Sequence, residues 1–392
     1  MILAGDWVPG KKFGEWRSNG AVVLANLEGP ILPSNHTFVP APKAGPSLFS
    51  CELPNETGQF VFALANNHLM DYGVPGLEAT LKSLDQRGFK ACGAGKSVRD
   101  ARQSVIVEDQ GVQVGVIACC EAQFGVARYN QPGVAEFGPW VYRAIRDLNE
   151  TVDAVIVSVH AAIEDSPWPS PYIRELYRSY IDAGAAVVHG HHAHVPQGYE
   201  AFGDGVIFYG MGNFAVDPDY WRNLPNRTWS LAAEIDFNSK PVCWRTLTLE
   251  IRQQPGCDAV TIQQSNGEER ARHNRYLEIC NRPLGDAGLV EGLWQEVALR
   301  AYYHYGAGCM RFAADSPLRR RRRVRAVLST LQKALLRSRP SQNDYLLWYH
   351  MIACESHRQM LTTALGMLAG EIQDLRTEET RLLVDEMISV GR

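Results

Sequence analysis

Two histidines one residue apart, His192 and His194, follow an apolar run in Gly190-His-His-Ala-His194. Packing gives no reason for such a pair, whereas two imidazoles on one short loop suit a metal ion by type. Similar residues stand where other apolar runs stop. Asp6 follows the run at 1–4, Asn26 and Glu28 close the run at 21–27, and Asn66-Asn67-His68 follows 60–64. His160 ends 153–160, and Asn213 follows 205–209. Imidazole, carboxylate and amide oxygen together suit Zn²⁺, Mn²⁺ or Fe²⁺. Such a centre activates water and polarises a phosphoryl or carbonyl oxygen, and an imidazole left beside it can protonate a leaving group. His36, His273, His304, His350 and His357 stand in no motif and read as structural or surface residues.

Those runs are short, rich in Val and Ile, and bounded by Gly, Asp or Asn, which predicts strands. Further strands are expected at 90–92, 104–107, 112–119, 185–189, 230–236 and 243–251. Helices are expected at 74–87, 139–149 and 170–183, where apolar residues recur at helical spacing. Strands alternating with helices imply an α/β architecture. The adjacent pairs 104–107 with 112–119, and 230–236 with 243–251, read as hairpins, so mixed sheets are expected rather than purely parallel ones. In such sheets ligand sites lie at the carboxyl ends of strands, which is where the suspicious polar residues fall. After about residue 251 the pattern changes. The stretch 252–267 reads as polar and irregular, and from 268 onward the pattern is helical, with helices expected at 294–305, 324–336, 345–368 and 371–388.

The bulk properties exclude several classes. At 392 residues the chain is long for one core, so two domains, or one domain with an appendage, are expected. The formal net charge of −4 argues against a general nucleic-acid binder. No apolar run approaches the roughly 20 residues of a membrane span, and the first residues lack a basic stretch followed by an apolar one. This reads as a cytoplasmic chain, with Asn35, Asn55 and Asn226 as chance glycosylation triplets. The nine cysteines lack Cys-x-x-Cys spacing and read as reduced thiols, with Cys119-Cys120 structural. Gly93-Ala-Gly-Lys-Ser97 fails the phosphate-loop pattern, because Lys90 stands where its first Gly belongs.

The motifs Asn26-Leu-Glu28-Gly-Pro30, Ala65-Asn-Asn-His68-Leu-Met-Asp71-Tyr-Gly73, Gly190-His-His-Ala-His194-Val-Pro-Gln197 and Tyr209-Gly-Met-Gly-Asn-Phe214 strongly resemble the CapA family of capsule and poly-γ-glutamate synthesis proteins. They occur in the family's order, and the resemblance covers about 1–252. It implies a calcineurin-like metallophosphoesterase fold, an α/β/β/α sandwich with two packed mixed sheets, followed here by a helical C-terminal region at 253–392. It implies roles as well. Asp6, Glu28, Asn67, His160, His192 and His194 match metal-binding positions for one or two divalent ions, and His68 matches the general acid. Asn26, Glu164, His191 and Asn213 are expected around them or at the substrate. Asp71, one turn past His68, either orients it or adds charge to the first helical turn.

The sequence also departs from the pattern. The wider fold carries Asp-x-His after the first strand, whereas Asp6-Trp7-Val8 lacks the imidazole. After His160 the family usually has Trp-Gly before the Glu, and here Ala161-Ala162-Ile163 precedes Glu164. Two functions follow from the resemblance: a metal-dependent hydrolase, phosphoesterase-like, acting on an anionic small molecule or polymer, or a non-catalytic polymer-binding component of a capsule-synthesis assembly. The arginines from Arg319 to Arg323 read either as a solvated helix start or as a contact for an anionic polymer, membrane surface or acidic partner.

Overall fold

The computed structural model describes residues 1–306 and 342–389, except 9, 11, 14, 15, 17, 19, 34–36, 44, 50–51, 55–59, 222 and 254–258. Asn35, His36, Asn55, the arginines at 319–323 and the expected helix at 324–336 lie outside the described residues.

Among the described residues the first sheet has nine strands. Its path runs Lys12–Phe13, Ala259–Gln264, Cys243–Gln253, Trp229–Asp236, Ile2–Val8, Val23–Leu27, Phe60–Ala63 and Lys90–Cys92, and Asn213–Val216 also pairs with Ile2–Val8. The second sheet has six, in the order Tyr199–Phe202, Gly205–Phe208, Val187–His191, Ala154–His160, Val112–Cys120 and Val105–Asp109. Both sheets mix parallel and antiparallel pairs. The two expected hairpins form: Val105–Asp109 with Val112–Cys120, and Trp229–Asp236 with Cys243–Gln253.

Strand alternation explains why two sheets pack. In Val112–Cys120, Val114, Val116 and Ala118 join the core shared with the first sheet, which holds Leu3, Leu24 and Phe62. Ile117 and Cys119 point the other way, into a core with Val141 and Ile145 of helix Pro139–Asn149 and Ile173 and Tyr177 of helix Pro171–Asp182. Helix Gly73–Gln86 packs on the first core through Leu77 and Leu84. Cys119 and Cys120 are buried, and burial raises both thiols far above the range where they react. The Gly93–Ser97 stretch, expected as a turn, contains a two-residue strand, Ala94–Gly95, paired antiparallel with Gly133–Val134, and Ser97 caps a short helix, Val98–Ala101.

The region after residue 251 differs from expectation at several points: the helix expected at 294–305 is Ala287–Ala301, the one expected at 371–388 is Glu378–Ser389, and two larger departures occur as well. Ala259–Gln264 is a strand, not irregular chain, and extends the first sheet along Cys243–Gln253. Too short to show a period of its own, it takes its order from pairing and from burying Ala259, Val260 and Ile262. The helix expected at 345–368 is two helices, Gln342–Ala353 and Glu355–Ala369, broken where Cys354 takes an extended conformation. Gly370, left-handed at φ +79°, ends the second, and reciprocal bonds between Thr377 and Thr380 start the last helix, Glu378–Ser389. A third core of Leu293, Trp294, Met351, Met360 and Val384 also takes in Trp168 from the sandwich, so these helices pack directly on it. Among the described residues no helix is long and apolar enough to cross a membrane.

The closest backbone approach is at Gly5, where a Cβ would lie 1.8 Å from the Gly212 carbonyl oxygen. Gly5→Ala is therefore expected to cost at least about 1–3 kcal/mol, read as a lower denaturant midpoint. An unchanged midpoint would show that this junction can open at no cost.

Candidate metal centre

The two sheets meet at their strand ends. His189 Nε2 of the second sheet lies 2.8 Å from the Ala4 carbonyl oxygen of the first. Between Gly205–Phe208 and Asn213–Val216 the chain crosses from one sheet to the other, and there Asp6 N–H donates to Gly212 O at 3.0 Å. Register then assembles the polar residues. Asp6 stands opposite Asn26 on one side and Asn213 on the other. His160, the last residue of its strand, stands opposite His191 on one side and Cys120 on the other.

Asp6, Glu28, His160, His191, His192 and His194 are all buried. His194 Nδ1 lies 3.5 Å from Asp6 Oδ2 and 3.6 Å from Glu28 Oε2. His160 Nε2 lies 3.4 Å from Glu28 Oε1 and 2.8 Å from Asn67 Oδ1. His160 Nδ1 lies 2.8 Å from His191 Nδ1, and His191 Nε2 lies 2.9 Å from Ser158 Oγ. Asn26 donates to Asp6 Oδ1 at 2.8 Å, and His194 Nδ1 lies 3.0 Å from Asn213 Oδ1. Thus His191, ranked behind its neighbours by sequence, is placed as deep as they are. His192 and His194 hold φ of +96° and +59°. A non-glycine residue in such a conformation costs about 1–3 kcal/mol, and such strain concentrates at functional sites.

Asp6 Oδ2, both Glu28 carboxylate oxygens and His192 Nδ1 are buried without a hydrogen-bond partner. Buried carboxylate oxygens left unpaired are costly, and a cation between them would relieve the cost. Four overlapping donor sets bring their ligand atoms within 4.8 Å of one another: Asp6–His160–His191, Glu28–His160–His192, Asp6–Glu28–His194 and Glu164–His192–His194. These groups could hold a metal ion. The electrostatics agree. Burial, with Asp6 beside it, pushes the Glu28 carboxyl well above its usual range. Burial alone would lower His194, but Glu28 and Asp6 overcome it and hold it up at about 9. Burial takes His192 down to about 3. His194 is thus the imidazole that faces both carboxylates.

His68 sits at the edge of this cluster. Its Nδ1 lies 2.7 Å from Asp71 Oδ2, and Asp71 Oδ1 takes a 2.5 Å contact from Lys43 Nζ. Asp71 Oδ2 also accepts the Leu48 N–H at 2.7 Å, while no side chain caps the start of helix Gly73–Gln86. The Asp71 carboxylate therefore faces His68. Asn66 shapes the turn by accepting the N–H groups of His68 and Leu69 and donating to Leu27 O. Burial lowers His68, with Asp71 opposing the shift. On the other side Glu164, with its side chain about half exposed, pairs with Arg227 at 3.3 Å. Arg227 lies over the Trp221 ring, which is tilted 4.9 Å from the His194 ring. An aromatic wall is therefore present, supplied by Trp221 rather than from beside His160.

Sequence reasoning missed Lys43, Glu121, Gln123 and Arg227. Glu121 carried a usable signal, since it directly follows a strand, as Glu28 does. Lys43 and Arg227 lie in segments without motif. His350 and His357, read as structural or surface, stand together with ring centroids 4.4 Å apart, and His350 stacks on Phe124, close to the Glu121 loop. His273 stacks on Trp229, and no described residue of the cluster touches it in the contacts seen.

Residues 9–218 match the family model described as bacterial capsule synthesis protein PGA_cap. The chain is 33% identical over 174 residues to the capsule biosynthesis protein CapA of Bacillus anthracis, a match covering 43% of this chain and 42% of that one. It is 34% identical over 162 residues to the PGA biosynthesis protein CapA of Bacillus subtilis (strain 168), covering 40% and 43%. A probable polyglutamine synthesis accessory protein of Mycobacterium tuberculosis is 33% identical over 176 residues, covering 40% and 45%. The matched stretch spans less than half the length of these relatives. Among solved structures, a novel phosphatase from Mycoplasma pneumoniae aligns with a TM-score of 0.37 at 11% identity, covering 69% of this chain and 95% of that one.

Proposed function

Since the chain belongs to the bacterial capsule synthesis protein PGA_cap family, we propose that its strand-end cluster is a metal centre hydrolysing a phosphoester, or a related ester or amide bond, of an anionic substrate made or used in capsule or polyglutamate synthesis. The observation carrying this reading is the set of unpartnered buried oxygens of Asp6 and Glu28 facing imidazoles. Asp6, Glu28, Asn67, His160, His192 and His194 hold one or two divalent ions, Mn²⁺, Zn²⁺ or Fe²⁺ by donor type. When bound, such an ion supplies Lewis acidity and a nucleophilic water.

The chain's own groups do the rest. His191 and Asn26 hold His160 and Asp6 in place, and Asn213 does the same for His194. His68, oriented through Nδ1 by Asp71, presents Nε2 to the leaving group and moves the proton there. Burial favours its neutral form, and an anionic substrate beside it restores the charged one. Lys43 and Arg227 flank the cluster with their charge already paired, Lys43 with Asp71 and Arg227 with Asp165 and Glu164.

The test is turnover. Purified protein with added Mn²⁺ is expected to hydrolyse at least one member of a panel of aryl phosphates, phosphodiesters and γ-glutamyl amides, and chelator should abolish it. A protein that binds metal yet turns over nothing across the panel would favour a non-catalytic, polymer-binding role in the same pathway.

A further inference from the structure

We propose that Glu121 positions His192 in the metal centre, and that through Glu121 the C-terminal helices are a working part of that centre. The proposal rests on the metal-centre reading above. Glu121 directly follows strand Val112–Cys120, and its N–H donates to the His160 carbonyl at 3.1 Å, so it is fixed beside the cluster. Its side chain is fully buried.

The two carboxylate oxygens face different parts of the molecule. Oε1 lies 3.6 Å from His192 Nε2 and accepts from the Gln123 amide at 3.2 Å. Gln123 Nε2 in turn lies 3.0 Å from His192 Nε2. Oε2 accepts the Ser356 N–H at 2.8 Å and the Cys354 thiol at 3.2 Å. Those two donors sit at the break between helices Gln342–Ala353 and Glu355–Ala369, more than two hundred residues away in the chain. The tie is reciprocal, because Ala122 N–H donates to Glu355 Oε2 at 3.3 Å.

The ring of His192 fits this arrangement. Its Nε2 faces Gln123 and Glu121, while Nδ1 is buried and unpartnered. With Nδ1 given to a cation, the ring keeps its proton on Nε2. The Gln123 amide nitrogen, 3.0 Å away, cannot stay opposite that proton, because both groups would donate; the amide turns aside, and Glu121 Oε1 at 3.6 Å becomes the acceptor facing it. Imidazole ligands take such a partner on the nitrogen that does not bind metal, and its loss typically lowers metal affinity about 10–100-fold. The Ser356 and Cys354 donors hold the carboxylate in the orientation this needs.

Glu121 could instead serve only to pin the helices, and the test separates the two roles. Co²⁺ affinity is measured by chelator competition, the Co²⁺ absorption spectrum is recorded, and unfolding of the metal-free protein is followed. Glu121→Gln is expected to weaken Co²⁺ binding by about 10–100-fold and to shift the Co²⁺ bands. Cys354→Ala, which removes one distant donor to Glu121, is expected to weaken binding by a smaller factor in the same direction. Variants that unfold more easily but keep wild-type Co²⁺ affinity and spectrum overturn the proposal. Should Glu121→Gln not fold, unchanged affinity in Cys354→Ala overturns it. A wild-type protein that binds no Co²⁺ removes the metal-centre reading itself, an outcome distinct from a failure of Glu121 alone.

Discussion

Replacing His192 and His194 together with Ala is expected to abolish metal binding while leaving the fold intact. The two imidazoles belong to three of the four overlapping donor sets. Even loss of an outer partner typically lowers metal affinity about 10–100-fold, so removal of two direct ligands should exceed that range. The backbone sharpens the expectation. Both residues hold positive φ, a strain that Ala relieves no better than His, so the loop gains nothing from the change and any loss is chemical. Deleting the ring of His194 also leaves Asp6 Oδ2 and Glu28 Oε2 without their nearest positive group. The metal content of the double variant, measured beside its circular dichroism, decides the point. Wild-type metal content in a folded double variant would contradict the ligand assignment.

The second large effect is at His68. His68→Ala is expected to reduce turnover by about 10²–10⁴-fold, the usual worth of a positioned proton donor, on whichever substrate the wild type hydrolyses. Metal content should be unchanged, since His68 belongs to none of the donor sets. Asp71→Asn should move turnover in the same direction by less, because the contact at 2.7 Å fixes which ring nitrogen faces the cleft. Parallel loss of metal and turnover in His68→Ala would place this residue among the ligands and remove its role as acid.

The strand ends were legible because they carry two signals at once. An apolar β-branched run says where the strand stops, and a His, Asp, Glu or Asn there says what the end is for. That logic holds for Glu28, His160 and the His192–His194 pair, at or just after strand ends, whereas Asp6 lies inside Ile2–Val8, a strand longer than the apolar run at 1–4 shows. It ranked His191 low, because in sequence His191 is only a neighbour of the better motif positions. In three dimensions His191 ends its own strand opposite His160, and register, not spacing, puts it in the cluster. Glu121 follows the same strand-end rule but hides behind Cys119-Cys120, which read as core. Lys43 was out of reach for a different reason. It sits in a segment without periodicity and meets Asp71 only through the tertiary fold.

The fold shows the same division. Strands with strong alternation, and helices such as Pro139–Asn149 with a clear apolar face, were visible within a residue or two. Ala259–Gln264 was not, since its order comes from the neighbouring strand. The break at Cys354 was not visible either, because its donors are satisfied by Glu121 from the far end of the chain.

The central claim is that the buried carboxylates and imidazoles hold a divalent metal, and elemental analysis of the purified wild-type chain tests it most directly. After exposure to Mn²⁺, Zn²⁺ or Fe²⁺ and removal of excess ion, the account predicts one or two bound ions per chain, lost on chelation. A folded wild-type chain that remains metal-free with all three would contradict it.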